Sequence, residues 1–235
     1  MNQNPDIGVT ANSITLEILK DLFLLKSTDV FQNYPDEQSL DNVMNVVFDN
    51  YYKDWKYKYI IDRGPVSTPG NLMLMRKHFK QPIKCVVLLR DVLDVLASYM
   101  KWYYNNPNSF VNRYGCKNDD EKLGMLMNKD GAIAKDLEAI KNLLQPENKH
   151  MACFVKYDDL INDPKTQLNK IYNFLEIPYF EHNFNNLSQL KVNDRSYDDK
   201  IVGDNMHTIR TNGIYKEDNP YRSMIPKRIV DKYGH

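Results

Sequence analysis

Long hydrophobic runs are absent from this 235-residue chain: none approaches the roughly 18 apolar residues that a membrane-spanning helix needs. The first residues, MNQNPDIG, are polar and do not read as a secretory leader. Excess charge of either sign is missing too, since 31 Lys and Arg balance 31 Asp and Glu. Any site for a polyanion must therefore be a local cluster of cations, and nucleic-acid binding gains no support from composition. Cysteine is scarce. Cys85, Cys116 and Cys153 cannot complete a disulfide set, and Cys85 and Cys153 sit in apolar runs as small hydrophobes. That pattern suits a reducing, cytoplasmic setting. The five histidines, at 78, 150, 182, 207 and 235, show no metal-ligand spacing, so no metal is expected. Internal repeats, low-complexity tracts and the phosphate-loop pattern G-x-x-x-x-G-K-[ST] are also lacking.

What is present is an alternation of short β-rich runs and amphipathic stretches. Helices are expected at Ser13–Lys26 (Ser13 capping; Ile14, Ile18, Leu22 and Leu25 inward) and at Asp36–Tyr51 (Leu40, Val43, Val47 and Phe48 inward). A further helix should run from Thr68-Pro69 to Phe79, with Pro at its first position. Asp119–Leu144 reads as one long helix, acidic at its start, with Lys141 near its end and a bend at Gly131. Tyr157–Leu175 reads as helix broken at Asp163-Pro164, and a short helix should cover Pro226–Tyr233. Strands are expected at Tyr57–Ile61, at Cys85–Leu89 as a buried run, and at His150–Val155. Alternating strands and helices imply a single α/β domain over residues 1–235, a parallel sheet flanked by helices, with residues 202–235 irregular within it. Ligands of such sheets bind beyond the carboxyl ends of the strands. Asp62, Arg63, Arg90 and Lys156-Tyr157 all fall there.

The sharpest stretch is KCVVLLRDVLDVLASYMKWYY, Lys84–Tyr104: a strand ending on Arg90, then a helix carrying Ser98. A guanidinium at a strand end makes forked bonds to phosphate oxygens, and the following helix N-terminus adds partial positive charge. Asp91, Asp94 and Ser98 share one helix face. The run R-D-x-x-D-V-x-x-S-Y resembles the 3′-phosphate-binding segment of sulfotransferases that use 3′-phosphoadenosine-5′-phosphosulfate. The resemblance implies a P-loop-kinase-like fold, with Arg90 and Ser98 holding the 3′-phosphate.

Three further blocks are similar to that family in the same order. VKYDDLINDPKTQLNKIYNFLEIPY, Val155–Tyr179, makes Tyr157 a candidate adenine contact, with Glu176 where the family has glycine. The late segment Gly203–Gly213 would contribute Arg210 as a cation and Gly213 for close backbone approach. At Tyr57–Leu72 the family's catalytic histidine is missing. Asp62 is the candidate base there and Arg63 the candidate cation for charge on the leaving phosphate. The family's first element, a strand, a Lys- or Arg-bearing loop for the 5′-phosphosulfate and a helix, is expected to be missing, with Asn2–Pro5 read as the end of that helix. The resemblance implies a metal-free sulfuryl transfer from 3′-phosphoadenosine-5′-phosphosulfate to a hydroxyl or amine on a small molecule, glycan or protein. A non-catalytic nucleotide-binding or interaction module and a nucleotide kinase of similar fold are the alternatives.

Overall fold

In the computed structural model, residues 1–10, 13–189, 191–196, 208–209 and 211–234 are described. The strands are β1 (Ile7–Val9), β2 (Tyr59–Ile61), β3 (Cys85–Leu89), β4 (Ala152–Lys156), β5 (Lys191–Val192) and β6 (Arg195–Ser196). Helices α1 to α4 cover Thr15–Leu24, Asp29–Asn33, Glu37–Met44 and Val47–Tyr51. Helices α5 to α8 cover Pro69–His78, Val92–Asn105, Phe110–Arg113 and Asp119–Met127. Helices α9 to α12 cover Ala132–Leu143, Tyr157–Asn162, Pro164–Leu175 and Lys227–Tyr233. The chain forms two compact units, Met1–Cys85 with Asp136–Ala152, and Val86–Lys135 with Cys153–His235.

The first unit overturns the expectation of a missing first strand. Ile7, Gly8 and Val9 pair in parallel with Tyr59, Ile60 and Ile61, and the chain then turns into α1. A three-residue strand is too short to show an alternating pattern, and its hydrogen-bond partner lies some fifty residues away in sequence. Gly8 is needed there: a Cβ would stand 2.5 Å from the Tyr57 ring. The core of this unit gathers Leu16, Leu19, Met44, Leu74 and Met75, with Leu22, Leu40, Val47 and Phe48 against it. A wholly buried side chain such as Leu19 contributes about 2 kcal/mol. The inward face of α1 keeps Leu22 but is otherwise rotated from the expected one, for Ile14 and Leu25 are exposed while Thr15, Leu16 and Leu19 are buried. Apolar residues lie all round this helix, so periodicity alone does not select the face. Ile14 occupies the N-cap position, while Ser13 Oγ accepts from the amide of Thr15, the first residue of α1, at 3.3 Å. Residues 36–51 make two helices, broken at Asn45–Val46, with Met44 buried and Val43 exposed.

In the second unit β3 pairs with β4. β3 is half-exposed rather than buried, with Val86 and Leu88 facing outward. The expected single sheet is replaced, among the described residues, by three two-stranded sheets. Asp91 caps α6 by accepting from the Asp94 amide at 3.0 Å, and Leu96, Ala97, Met100 and Tyr103 bury its inner face. The expected long helix over 119–144 is interrupted between α8 and α9. A Cβ on Gly131 would meet the Leu126 and Met125 carbonyl oxygens at 2.3 and 2.4 Å, so only glycine fits this turn. Asp163 caps α11, whose Pro164 occupies the first turn. Glu176 closes α11 at φ +60°, the left-handed position that glycine fills most readily. The hairpin β5–β6 turns on Asn193 and Asp194, both with positive φ. No described helix is long and apolar enough to cross a membrane.

Candidate functional site

In the first unit, Asp62 follows β2 directly and meets the turn between β1 and α1. Three hydroxyls converge on its carboxylate. Thr10 Oγ1 donates to Oδ1 at 2.5 Å, and Ser13 Oγ and Thr15 Oγ1 donate to Oδ2 at 2.6 and 2.9 Å. Ser13 and Thr15 also lie 2.8 Å apart, and Thr10 Oγ1 accepts from the Arg63 amide at 3.1 Å. Thr15 is completely buried, so its hydroxyl needs a protein partner, and Asp62 is that partner. Sequence reading missed this clasp; its only local trace is Thr10, Ser13 and Thr15 spaced behind a short apolar run. The Tyr52 phenol oxygen is buried without a well-formed hydrogen bond and faces the same cluster. Burial raises its pKa, and the Asp62 charge adds to that rise.

A carboxylate offers about four lone-pair directions. Three are taken by these hydroxyls, and the Tyr52 phenol lies against the same carboxylate. A small pocket of about 20 Å³, room for about one water, opens beside it, lined by Ser13, Thr15, Phe48, Asp62, Arg63 and Val66, among others. Arg63 is exposed, and its charge acts on Asp136: desolvation raises that carboxyl above its usual range and Arg63 opposes the rise.

In the second unit, Arg90 directly follows β3 and begins the turn into α6. Its guanidinium lies over the Tyr157 ring, 4.4 Å from the centroid, so the first turn of α10 supports the strand-end cation. Arg90 Nε is buried and unpartnered. A desolvated donor of this kind is costly unless a ligand completes it. Arg90 also lines an open cleft of about 560 Å³, walled by Asp91 and Asp94 at the start of α6 and by Lys216, Glu217, Asp218 and Arg222. The wall at 216–222 was not foreseen, because nothing local in that sequence marks it.

Ion pairs tether that wall. Lys216 meets Asp158 at 2.7 Å, Glu217 meets Lys101 at 2.8 Å, and Arg222 meets Asp91 at 2.6 Å and also Asp94. Tyr221 stacks on Tyr104 with ring centroids 5.3 Å apart. Ser98 is exposed on α6, one turn beyond Asp94, and does not line the cleft. Gly213 has φ +115°, and a Cβ there would lie 3.4 Å from the Phe184 carbonyl oxygen. Its segment is held by Gln189, which pairs with both backbone groups of Ile209. Arg210 lies outside the described residues. Arg90 and Tyr157 are thus brought together. Asp62 and Arg63 adjoin a separate cavity in the first unit.

The family model for the sulfotransferase domain matches residues 62–218. Among solved structures, the chain is similar to the sulfotransferase domain from the curacin biosynthetic pathway, at 17% identity and a TM-score of 0.42. That likeness covers 71% of this chain and 54% of the other, so the chain spans about half of that protein's length. No curated protein matches.

Proposed function

The chain belongs to the sulfotransferase domain family, and from that premise we propose that it transfers a sulfuryl group from 3′-phosphoadenosine-5′-phosphosulfate to a hydroxyl or amine acceptor. The observation that carries the reading is Arg90, held over the Tyr157 ring and lining a polar cleft at the N-terminus of α6. An anionic phosphate would pair with that guanidinium and gain from the helix dipole. Arg90 then holds the 3′-phosphate, with Ser98 one turn along α6 from the cleft wall as a second contact. Tyr157 carries the Arg90 guanidinium on one face, which makes support of Arg90 its first task and adenine contact its second. Arg210 and Gly213 belong to the same reading as late contributors. The co-substrate supplies an activated sulfuryl group. The protein's part is to orient the nucleotide and to accept the acceptor's proton, for which Asp62 is the candidate base. Arg63 would offset negative charge on the leaving phosphate. The three thiols are unbridged, in keeping with a reducing, cytoplasmic setting.

One observation favours a second reading, a nucleotide-binding module without turnover. The turn from β1 into α1 carries no Lys or Arg, and its hydroxyls are already engaged by Asp62. A negative carboxylate there works against a 5′-phosphosulfate. Calorimetry with adenosine 3′,5′-bisphosphate, followed by labelled sulfuryl transfer to a panel of phenols, sugars and amines, separates the two. Binding with transfer supports the enzyme, and binding without transfer supports the module. Absence of binding removes both.

A further inference from the structure

The cleft around Arg90 poses an electrostatic problem. Asp91 and Asp94 sit beside Arg90 at the start of α6, and both line the cleft an anion would enter. Asp91 cannot be dispensed with, because it caps the helix through the Asp94 amide. Two carboxylates at an anion's entrance repel it, and a half-exposed cleft screens that repulsion only in part.

Arg222 resolves this. Its Nη1 meets Asp91 Oδ1 at 2.6 Å and also reaches Asp94 Oδ1, so one guanidinium serves both acids. The pairing also shows in the charge state of Asp91. Burial alone would raise its pKa, yet the bond to Arg222 and that from the Asp94 amide hold it below the ordinary carboxylate range. Arg222 arrives from far along the chain, on the segment tethered by Lys216 to Asp158, by Glu217 to Lys101 and by Tyr221 on Tyr104. Those tethers bring the cation to the acids. We propose that Arg222 is a positioning residue for the nucleotide site, masking Asp91 and Asp94 so that the N-terminus of α6 accepts an anion beside Arg90. This rests on the nucleotide reading given above.

The test is adenosine 3′,5′-bisphosphate binding by calorimetry, with melting curves to establish that each variant folds. Arg222→Gln should weaken binding about tenfold at low salt, from two newly exposed charges near a multivalent anion. The loss should shrink at about 0.5 M salt. Arg222→Lys, which keeps the charge, should retain most of the affinity. The decisive arm is Arg222→Gln combined with Asp94→Asn: with only Asp91 left to mask, affinity should return to within about threefold of the parent. An unchanged affinity in Arg222→Gln overturns the inference. So does a double variant no better than the single one, which would make Arg222 a direct phosphate contact. If the parent binds the nucleotide and Arg90→Ala abolishes binding while Arg222→Gln does nothing, only the masking role falls. If the parent itself does not bind, the nucleotide reading falls and masking with it.

Discussion

Replacing Asp62 by Asn tests the cluster that joins β1, β2 and α1. The side chain keeps its shape but loses its charge and turns one acceptor oxygen into a donor. Three hydroxyls now donate to that carboxylate, at 2.5, 2.6 and 2.9 Å. A hydrogen bond to a charged group contributes about 1.5–3 kcal/mol, against about 0.5–1.5 for a neutral one, so each bond weakens by about 1 kcal/mol. One bond must also reverse, because the new amide faces a hydroxyl that was donating. Thr10 can accept, but its oxygen already serves the Arg63 amide. Asp62 is only half-buried, so solvent returns part of the loss. The net cost is about 2 kcal/mol, or about 4–8 °C in melting temperature for a chain of this length. Asp62→Ala, which leaves buried hydroxyls without an acceptor, should cost more, about 4 kcal/mol. Thermal melts followed by circular dichroism at pH 7 read these values directly. Nucleotide affinity should be nearly unchanged, whereas transfer should fall by about 10²–10⁴-fold if Asp62 takes the acceptor's proton. An Asp62→Asn protein melting within a degree of the parent would refute the argument that the clasp stabilises this unit.

Three other outcomes follow from the geometry. Arg90→Ala should weaken adenosine 3′,5′-bisphosphate binding by about 1.5–3 kcal/mol, and Tyr157→Leu by about 1 kcal/mol through loss of the cation–π support, with adenosine 5′-phosphosulfate responding little to either; equal losses for both ligands in calorimetry would undo the 3′-phosphate assignment. Gly131→Ala should destabilise by at least about 2 kcal/mol, since the methyl would meet two carbonyl oxygens below 2.5 Å; a denaturant midpoint equal to the parent's would show that the α8–α9 turn opens at little cost. His182 is buried against Tyr172, with its pKa depressed to about 4 by burial, while the unfolded chain titrates near 6.5; the unfolded state then binds the extra proton as pH falls from 6.5 to 4, and stability drops across that window, a drop that urea melts should find smaller in His182→Gln.

Much of the second unit was legible because its signals are local. The strand-to-helix passage at Arg90 and the break at Asp163-Pro164 depend on neighbours a few residues away, and the structure keeps both. Terminal helix α12 likewise starts just past a proline, as expected. Gly131 was visible as a disturbance, but its severity was not: only the carbonyls folded back onto it show why the helix stops instead of bending.

The first unit was misread where partners are distant. Ile7–Val9 is a strand because Tyr59–Ile61 lies alongside it, and three residues with a central glycine carry no pattern of their own. The inward face of α1 was decided by packing against Met44, Leu74 and Met75, since the helix has apolar residues on more than one side. By itself, the sequence determined the helices with clear caps and breaks, the strand ending on Arg90 and the family, all of which rest on order along the chain. Tertiary structure alone decided that three hydroxyls close on Asp62, that Tyr157 lies beneath Arg90, and that Arg222 reaches back to Asp91 and Asp94. Each of these is a pairing of polar groups far apart in sequence, and such pairs follow from how the backbone returns on itself, which no short stretch of residues encodes.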